Sequence, residues 1–277
     1  MFFFVVERCS EKLNIFIERI RMLKNFIIQS GELIINVLVV VGLLIAVVSG
    51  IGKAVAVRLS NLGHPLLLLA RRVELLEKLN LPNTLCRKVD VTDLDSFQLA
   101  VDEAEKIYGE TDLIVNNAGV MLLGNAAKQN PQEWQQMLNI NVMGVLNGVK
   151  TVLSKMIARN GGTIINISSI AGRKTFPDHA AYCATKFAVH ALTENIRGEV
   201  AGSNVRMTII APGVVETELL SHTTDSTIVD GYKQWKASTI EQGLNPDDIA
   251  RAIEFAYTQP QNVCIREIVL ADTRQDA

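Results

Sequence analysis

The fold is decided by residues 39–70, which read VVVGLLIAVVSGIGKAVAVRLSNLGHPLLLLA. The two ends of this stretch, Val39–Ala46 and Leu66–Ala70, are apolar throughout, and such runs are typical of strands buried on both faces. Between them, Lys53–Leu62 has a helical pattern, and Gly63 follows it as a C-terminal stop. A strand, a helix and a second strand in this order predict a parallel strand pair with a covering helix.

The same alternation continues to the end of the chain. Further apolar runs lie at Leu85–Val89, Leu113–Val115, Thr163–Ile167, Val205–Ile210 and Val263–Leu270, and helical patterns lie at Val73–Leu79, Leu94–Ile107, Gln132–Met156, Ala180–Val200 and Pro246–Tyr257. The sequence therefore predicts an α/β fold with a doubly wound, mostly parallel, seven-stranded sheet of the Rossmann type. Because no repeat or linker divides this region, we expect residues 36–277 to form a single domain after an N-terminal extension over residues 1–35.

The composition excludes several classes of function. A chain of 277 residues can bury the core of one large α/β domain. Its formal net charge of −2, without a basic stripe, argues against a nucleic-acid partner. The four cysteines and four histidines show no spacing typical of a metal or redox site. We therefore expect no metal, reduced thiols and a cytoplasmic protein.

A glycine-containing turn follows the first predicted strand. Ser49, Gly50, Ile51 and Gly52 lie where that strand gives way to the first helix. Glycines there let the backbone approach a pyrophosphate, and the helix N-terminus adds N–H groups and partial positive charge. A plain tight turn is the alternative interpretation, but the position between strand and helix favours a dinucleotide site.

Two arginines end the second predicted strand. An acidic residue at this position would hold the ribose hydroxyl of NAD, whereas an arginine accommodates the 2′-phosphate of NADP. The strand ends in Arg71 and Arg72, and no Asp or Glu lies between Lys53 and Val73. The alternative is that the arginines only solvate a strand end. We predict NADP (NADPH) as the cofactor, since the planar guanidinium matches a phosphate.

Tyr182 and Lys186 are four residues apart on a predicted helix, with Ser169 upstream. The i, i+4 spacing places the ammonium on the same helix face as the phenol. A nearby positive charge lowers a phenol pKa, which makes tyrosine usable as a general acid or base. On spacing alone, the pair could equally be an ordinary contact on a surface helix.

Five motifs in order resemble the short-chain dehydrogenase/reductase family. They are Asn116-Asn117-Ala118-Gly119 after the fourth strand, Asn139-Ile140-Asn141-Val142-Met143-Gly144 in the next helix, Asn166-Ile167-Ser168-Ser169 at the end of the fifth strand, Tyr182 with Lys186, and Pro212-Gly213-Val214-Val215-Glu216-Thr217 after the sixth. The resemblance covers about residues 39–271, and its motifs specify the family rather than a substrate.

The resemblance implies a role for each matching residue. Ser169 would hydrogen-bond the reacting oxygen, and Tyr182 would be the acid/base. Lys186 would bind the nicotinamide ribose and lower the tyrosine pKa, and the backbone of Asn141 would hold a relay water. The implied cofactor contacts are Asp90 and Val91 beside the adenine, Asn117, Ala118 and Gly119 in the turn, Tyr182, Lys186, and Pro212, Gly213, Val215 and Thr217 near the carboxamide and the phosphates.

The glycine turn departs from the family's pattern, Thr-Gly-x-x-x-Gly-x-Gly. Ile45 and Ala46 replace the threonine and the first glycine, and Val47 and Val48 replace polar residues. Weaker cofactor binding is therefore expected. One rival hypothesis is a non-catalytic relative that keeps the fold, although the complete set of Ser169, Tyr182 and Lys186 argues against it.

The N-terminal region allows more than one interpretation. Apolar residues recur at helical spacing from Leu13 to Ile27, which predicts an amphipathic helix. Leu33–Gly52 carries no charge and is long enough to cross a bilayer, so a membrane-anchored, membrane-associated enzyme is a second rival. The same residues must supply the first strand, which argues against an anchor. A third interpretation is that residues 1–48 are not the natural start of the protein.

The sequence as a whole predicts an NADP-dependent oxidoreductase. It would interconvert a secondary alcohol, or hydroxy acid, and its carbonyl compound. The apolar content of the helices Gln132–Met156 and Ala180–Val200 predicts a homodimer or homotetramer. The resemblance implies that Glu218–Thr239 is a lid over the substrate, and its few apolar residues predict that it is flexible. Asp178 and His179 are candidates for substrate contact.

Overall fold

The computed structural model describes residues 41–45, of which only the backbone is described, 50–240 and 242–275. The predicted N-terminal helix, most of the charge-free segment and the turn residues Ala46–Ser49 lie outside the described residues. Within the described part of the chain, no helix is long and apolar enough to cross a membrane.

Seven parallel strands form one sheet, as the sequence predicts. They are β1 (Val41–Ile45), β2 (Leu66–Ala70), β3 (Thr84–Lys88), β4 (Thr111–Asn116), β5 (Gly162–Ile167), β6 (Val205–Pro212) and β7 (Glu267–Leu270). Their order across the sheet is β3-β2-β1-β4-β5-β6-β7, and all the pairs are parallel. The order reverses between β1 and β4, which is where doubly wound sheets open a crevice at the carboxyl ends of the strands.

The helices cover both faces of the sheet. They are α1 (Gly50–Asn61), α2 (Val73–Glu77), α3 (Leu94–Tyr108), α4 (Pro131–Leu138), α5 (Gly144–Ala158), α6 (Ala180–Glu199), α7 (Ser226–Thr239) and α8 (Pro246–Tyr257). Strand β2 shows why both faces need cover. Leu66 and Leu68 pack with α1 and α8, whereas Leu67 and Leu69 pack with α3 and α5.

The predicted stop at Gly63 is confirmed, and two helices begin with typical capping residues. Gly63 has a φ of +85°, and α1 ends just before it. Asp93 caps α3 by accepting a hydrogen bond from Ser96 N at 3.1 Å. Asn245 caps α8 in a reciprocal capping box with Asp248.

Two predicted elements differ in the structure. The helix expected over Gln132–Met156 is interrupted by a π-helical turn at Asn139–Met143, so α4 and α5 are separate helices. The strand expected over Val263–Leu270 is shorter and begins at Glu267.

The expected lid, Glu218–Thr239, is a 3-10 turn at Glu218–His222 followed by helix α7. No residue of α7 is fully buried, so this helix is held by partly exposed contacts alone.

Candidate active site

A cleft of about 1670 Å³ opens at the carboxyl ends of the strands. It runs from the arginines after β2 to the residues that follow β5. It is lined by most of the site residues predicted from sequence, namely Ile51, Arg71, Arg72, Asp90, Val91, Asn117, Ala118, Gly119, Ser169, Tyr182, Lys186, Pro212, Gly213, Val215 and Thr217. Gly50, Gly52 and Asn141 do not line it, and Ser49 lies outside the described residues.

Ser169 is held in place by backbone groups on two sides. It follows β5, where its Oγ accepts a hydrogen bond from Ala171 N at 3.1 Å and donates one to Pro212 O at 3.3 Å. The Ser169 side chain also acts on Tyr182, because it lowers the pKa of that phenol. Ser168, its neighbour, donates instead to Lys186 O at 3.2 Å, so the two serines serve different contacts.

The Tyr182 phenol is buried, with only 5 % of the residue exposed. Burial raises the pKa of Tyr182 above its ordinary value, and the Ser169 side chain opposes that rise. Lys186 Nζ lies 5.7 Å from the centre of the Tyr182 ring, and burial is the largest influence on the phenol pKa in the protein alone. The lowering of this pKa by Lys186, which the resemblance implies, stays a prediction.

Lys186 is a buried ammonium with little hydrogen bonding. Nζ donates to Ile167 O at 3.1 Å, and this is its one hydrogen bond to any described residue. Burial lowers the pKa of Lys186 to about 8. The side chain lines the cleft beside Tyr182, so two of its three N–H donors remain for a bound molecule.

Asn141 holds the loop after β4 against helix α6. Its Oδ1 accepts from Val120 N at 2.8 Å, while its Nδ2 donates to Val120 O at 2.9 Å and Thr185 Oγ1 at 3.1 Å. Asn141 lies in the π-helical turn, a feature found often at functional sites. Since the side chain is committed to the loop, only the backbone of Asn141 would be available for a water.

Gly50, the first residue of α1, allows the helix to approach Thr217 in the wall of the cleft. It has a φ of +59°, which favours glycine. A Cβ at Gly50 would lie 2.6 Å from Thr217 Cγ2, so the backbone of α1 approaches the 212–217 segment more closely than a side chain allows.

Comparisons with known proteins identify the family. Residues 36–227 match the family model described as short chain dehydrogenase. An uncharacterized oxidoreductase of Listeria monocytogenes is 41% identical over 239 residues, covering 82% of this chain and 94% of the relative. One of Staphylococcus saprophyticus is 38% identical over 233 residues, covering 82% and 93%. The chain belongs to the short-chain dehydrogenase family.

Solved structures of the family share this fold. The closed form of a serine dehydrogenase complexed with NADP+ superposes with a TM-score of 0.79 at 28% identity, covering 86% of this chain and 96% of that one.

Sequence reasoning missed several side chains of this short-chain dehydrogenase. Glu218 reaches back across the cleft, and its Oε2 lies 3.7 Å from Arg72 Nη2. Gln275 Oε1 accepts from Val214 N at 3.0 Å and so holds the segment after β6. Phe176 and Tyr232 also line the cleft. Glu218 and Tyr232 lie in the segment expected to be a lid, but none of these four residues belongs to a motif that singles it out.

Buried side chains form a series of hydrogen bonds at the centre of the dehydrogenase fold. Asn116 Nδ2 donates to Asn166 Oδ1 at 2.7 Å, and Asn166 Nδ2 donates to Thr193 Oγ1 at 2.8 Å. These hydrogen bonds connect β4 and β5 to α6, the helix that carries Tyr182 and Lys186. They position the catalytic candidates relative to the sheet.

Proposed function

We propose that this short-chain dehydrogenase is an NADP-dependent oxidoreductase that interconverts a secondary alcohol, or hydroxy acid, and its carbonyl compound. The observation that carries the proposal is one cleft that holds Ser169, Tyr182 and the buried Lys186 ammonium at one end and two arginines at the other. Arg71 and Arg72 provide the second charged end that a dinucleotide phosphate needs.

The described residues fit a nicotinamide dinucleotide. Lys186 keeps N–H groups that could donate hydrogen bonds to a ribose diol, and its burial strengthens such bonds. Arg71 and Arg72 are exposed at the end of β2, where a 2′-phosphate would lie. The Arg72–Glu218 pair is long, and its side chains are 58% and 63% exposed, so a phosphate would displace it readily.

Ser169 and Tyr182 would act on the substrate oxygen together. Both residues line the cleft, and Ser169 lowers the pKa of the Tyr182 phenol, so one substrate oxygen could contact both. Because the pKa of Tyr182 is raised, its phenol is protonated at neutral pH and can donate a proton to a carbonyl oxygen. Lys186 Nζ, with a pKa of about 8, holds the nearby positive charge. When bound, the nicotinamide supplies or accepts the hydride at the substrate carbon.

Titration of the full chain with NADPH and NADH, followed by fluorescence, tests the cofactor half of the proposal. NADPH should bind at least about tenfold tighter, since a charge-assisted phosphate contact contributes roughly 1.5–3 kcal/mol. Arg71→Asp should reverse the preference. Arg251→Asp, at an exposed arginine on α8, should leave both affinities unchanged. Equal binding of both cofactors, or tighter NADH binding, would contradict the assignment to NADP.

A non-catalytic relative is the second candidate, favoured by the residues Ile45–Val48 in the cofactor turn. Restoring threonine, glycine and two small polar residues there should tighten NADPH binding about tenfold if these side chains remove phosphate hydrogen bonds. If neither the natural nor the restored chain bound NADPH, the non-catalytic candidate would replace the enzyme.

A further inference from the structure

Aromatic rings from two separate segments border the cleft on the side of Tyr182. The loop before α6 supplies Phe176 and His179, whose ring centres are 5.7 Å apart, and α7 supplies Tyr232 and Trp235, 5.4 Å apart. The His179 ring joins the segments, because its centre lies 6.2 Å from that of Tyr182 and 6.3 Å from that of Tyr232. We call these four residues, Phe176, His179, Tyr232 and Trp235, the aromatic wall.

His179 contributes an uncharged ring to the aromatic wall. Its Nδ1 lies 2.5 Å from Pro177 O, and because that carbonyl can only accept, Nδ1 carries the hydrogen. Burial lowers the pKa of His179, which favours the neutral imidazole at neutral pH. The wall therefore offers flat, neutral surfaces beside the Tyr182 hydroxyl.

Apolar side chains continue this surface on the other sides of the cleft. Met121 and Leu123 are buried beside Tyr182, and Leu219, Leu220 and Ile228 are partly buried and pack against the same cluster. No residue of α7 is fully buried, so its apolar side chains on the cleft remain partly open to solvent. An apolar molecule in the cleft would cover them.

The lysines at the Tyr182 end of the cleft, other than Lys186, are exposed or already paired. Lys236 is already paired with Glu216, at 2.5 Å, and Lys174 Nζ lies 5.8 Å from the centre of the Phe176 ring. Lys233 is exposed. Among the described residues that line the cleft, Lys186 is the one fully buried cation, and it belongs to the catalytic set. A hydroxy acid would find no buried cation reserved for its carboxylate.

From these observations we propose that the substrate is an uncharged carbonyl compound, or the matching alcohol, whose non-reacting side is a flat aromatic or alicyclic ring. This proposal rests on the proposed function and restricts its substrates to a class that excludes hydroxy acids. In the reducing direction, the carbonyl carbon accepts a hydride from NADPH and the carbonyl oxygen accepts the Tyr182 proton. The ketone is reduced to the alcohol, NADPH is oxidised to NADP+, and a solvent proton restores the phenol.

Competing substrates test the proposal on the full chain. With NADPH, kcat/KM for 1-tetralone should exceed that for butanone and for acetoacetate by at least about tenfold, as expected for stacking contacts that an aliphatic ligand lacks. His179→Ala and Tyr232→Ala should each lower the ratio of kcat/KM for tetralone to that for butanone about tenfold. Phe255→Ala, at an exposed ring on α8, is the control and should leave the ratio unchanged. A preference for acetoacetate would overturn the ring assignment while leaving the oxidoreductase proposal intact.

Tryptophan fluorescence tests ring binding without turnover. Trp235 belongs to the aromatic wall, whereas Trp134 donates to Gln129 Oε1 at 2.7 Å and does not line the cleft. Tetralone should quench the emission of the natural chain and of Trp134→Phe saturably, and Trp235→Phe should lose this quenching. Saturable quenching in a chain that does not bind NADPH would support the ring site and contradict the proposed NADP-dependent function. The absence of saturable quenching in Trp134→Phe would overturn the ring proposal, whatever the result with NADPH.

Discussion

Lys186 shows how a site residue can reduce the stability of the fold that carries it. The residue is buried, and burial lowers its pKa from 10.5 to about 8. Between these two values the unfolded chain binds more protons than the folded chain, so stability rises with pH across that window. Below about pH 8 the cost of the buried charge is fully present, on the order of 3 kcal/mol.

Replacing the ammonium with an apolar chain of similar length therefore has a predictable sign. Lys186→Met should raise the free energy of unfolding near pH 7 by about 1–3 kcal/mol, with the gain shrinking as pH rises toward 10. Urea unfolding at several pH values measures this, and turnover and NADPH binding should both fall in the same variant. A variant less stable than the natural chain at pH 7 and at pH 10 alike would show that the Ile167 hydrogen bond outweighs the buried charge.

Tyr182 carries the prediction most specific to the chemistry. Tyr182→Phe removes the acid/base oxygen while keeping the ring in its buried cluster. Turnover should fall by roughly 10²–10⁴-fold, the usual contribution of a positioned acid or base. The Kd for NADPH should change less than twofold. Steady-state assays with a ketone and NADPH, together with the fluorescence titration, separate the two effects, and substantial residual turnover would remove Tyr182 from this role.

At the scale of elements, the junction between α1 and the 212–217 segment should be intolerant of a side chain at Gly50. Gly50→Ala meets two separate penalties, a positive φ and the approach of its Cβ to Thr217 Cγ2. The free energy of unfolding should fall by about 1–3 kcal/mol, and cofactor binding should weaken with it. Chemical denaturation and NADPH titration measure the two losses.

A second substitution separates these penalties. Thr217→Ser removes Cγ2 but keeps the hydroxyl that accepts from Leu219 N at 3.3 Å. Gly50→Ala with Thr217→Ser should recover the part of the loss that comes from the clash and keep the part that comes from φ. Gly198→Ala is the matched control, because no atom lies within 4 Å of its added Cβ and alanine favours the helix. A loss as large at Gly198 as at Gly50 would contradict this account.

The sequence predicts helices and strands best where one pattern dominates, such as a continuous apolar run or a capping residue. Leu66–Ala70 is apolar throughout and is found as a strand with the same bounds, and Asn245 with Pro246 gives the start of α8. Helix α7 carries few apolar residues, so periodicity gives little reason to expect it. The π-helical turn at Asn139–Met143 depends on the contacts of Asn141 with Val120 and Thr185, which are distant in sequence.

The sequence likewise predicts one part of the candidate site and misses another. Motifs at the carboxyl ends of parallel strands must meet at one edge of the sheet, so the common cleft of Ser169, Tyr182 and Arg71 could be predicted. The effect of burial on the Tyr182 pKa could not, because spacing reports the nearby ammonium but not the burial of the phenol. Of the aromatic wall, the sequence offered His179 as a substrate contact and a lid that contains Tyr232, but not the ring contacts between them, because these join two segments that are distant in sequence.

At the scale of the whole molecule, large apolar side chains remain exposed on the helices of one face of the sheet. Met143, which ends the π-helical turn, is 48% exposed, and Phe187, on α6, is 42% exposed. Leu138 and Ile157, on α4 and α5, are similarly exposed. These are the helices whose apolar content predicts self-association, and water-exposed apolar residues of this size favour a protein partner.

We therefore expect a homodimer or homotetramer, with these helices in the contact. Sedimentation velocity at micromolar concentration should show the oligomer for the natural chain and a shift toward monomer for Met143→Glu combined with Phe187→Glu, because a buried, unpaired carboxylate opposes association. Phe255→Glu is the matched control, since Phe255 is 56% exposed on α8, which covers the other face of the sheet. Its sedimentation should match that of the natural chain. A monomer in every sample would contradict the assembly, and equal dissociation by both changes would show that added charge, rather than the loss of this apolar surface, separates the subunits.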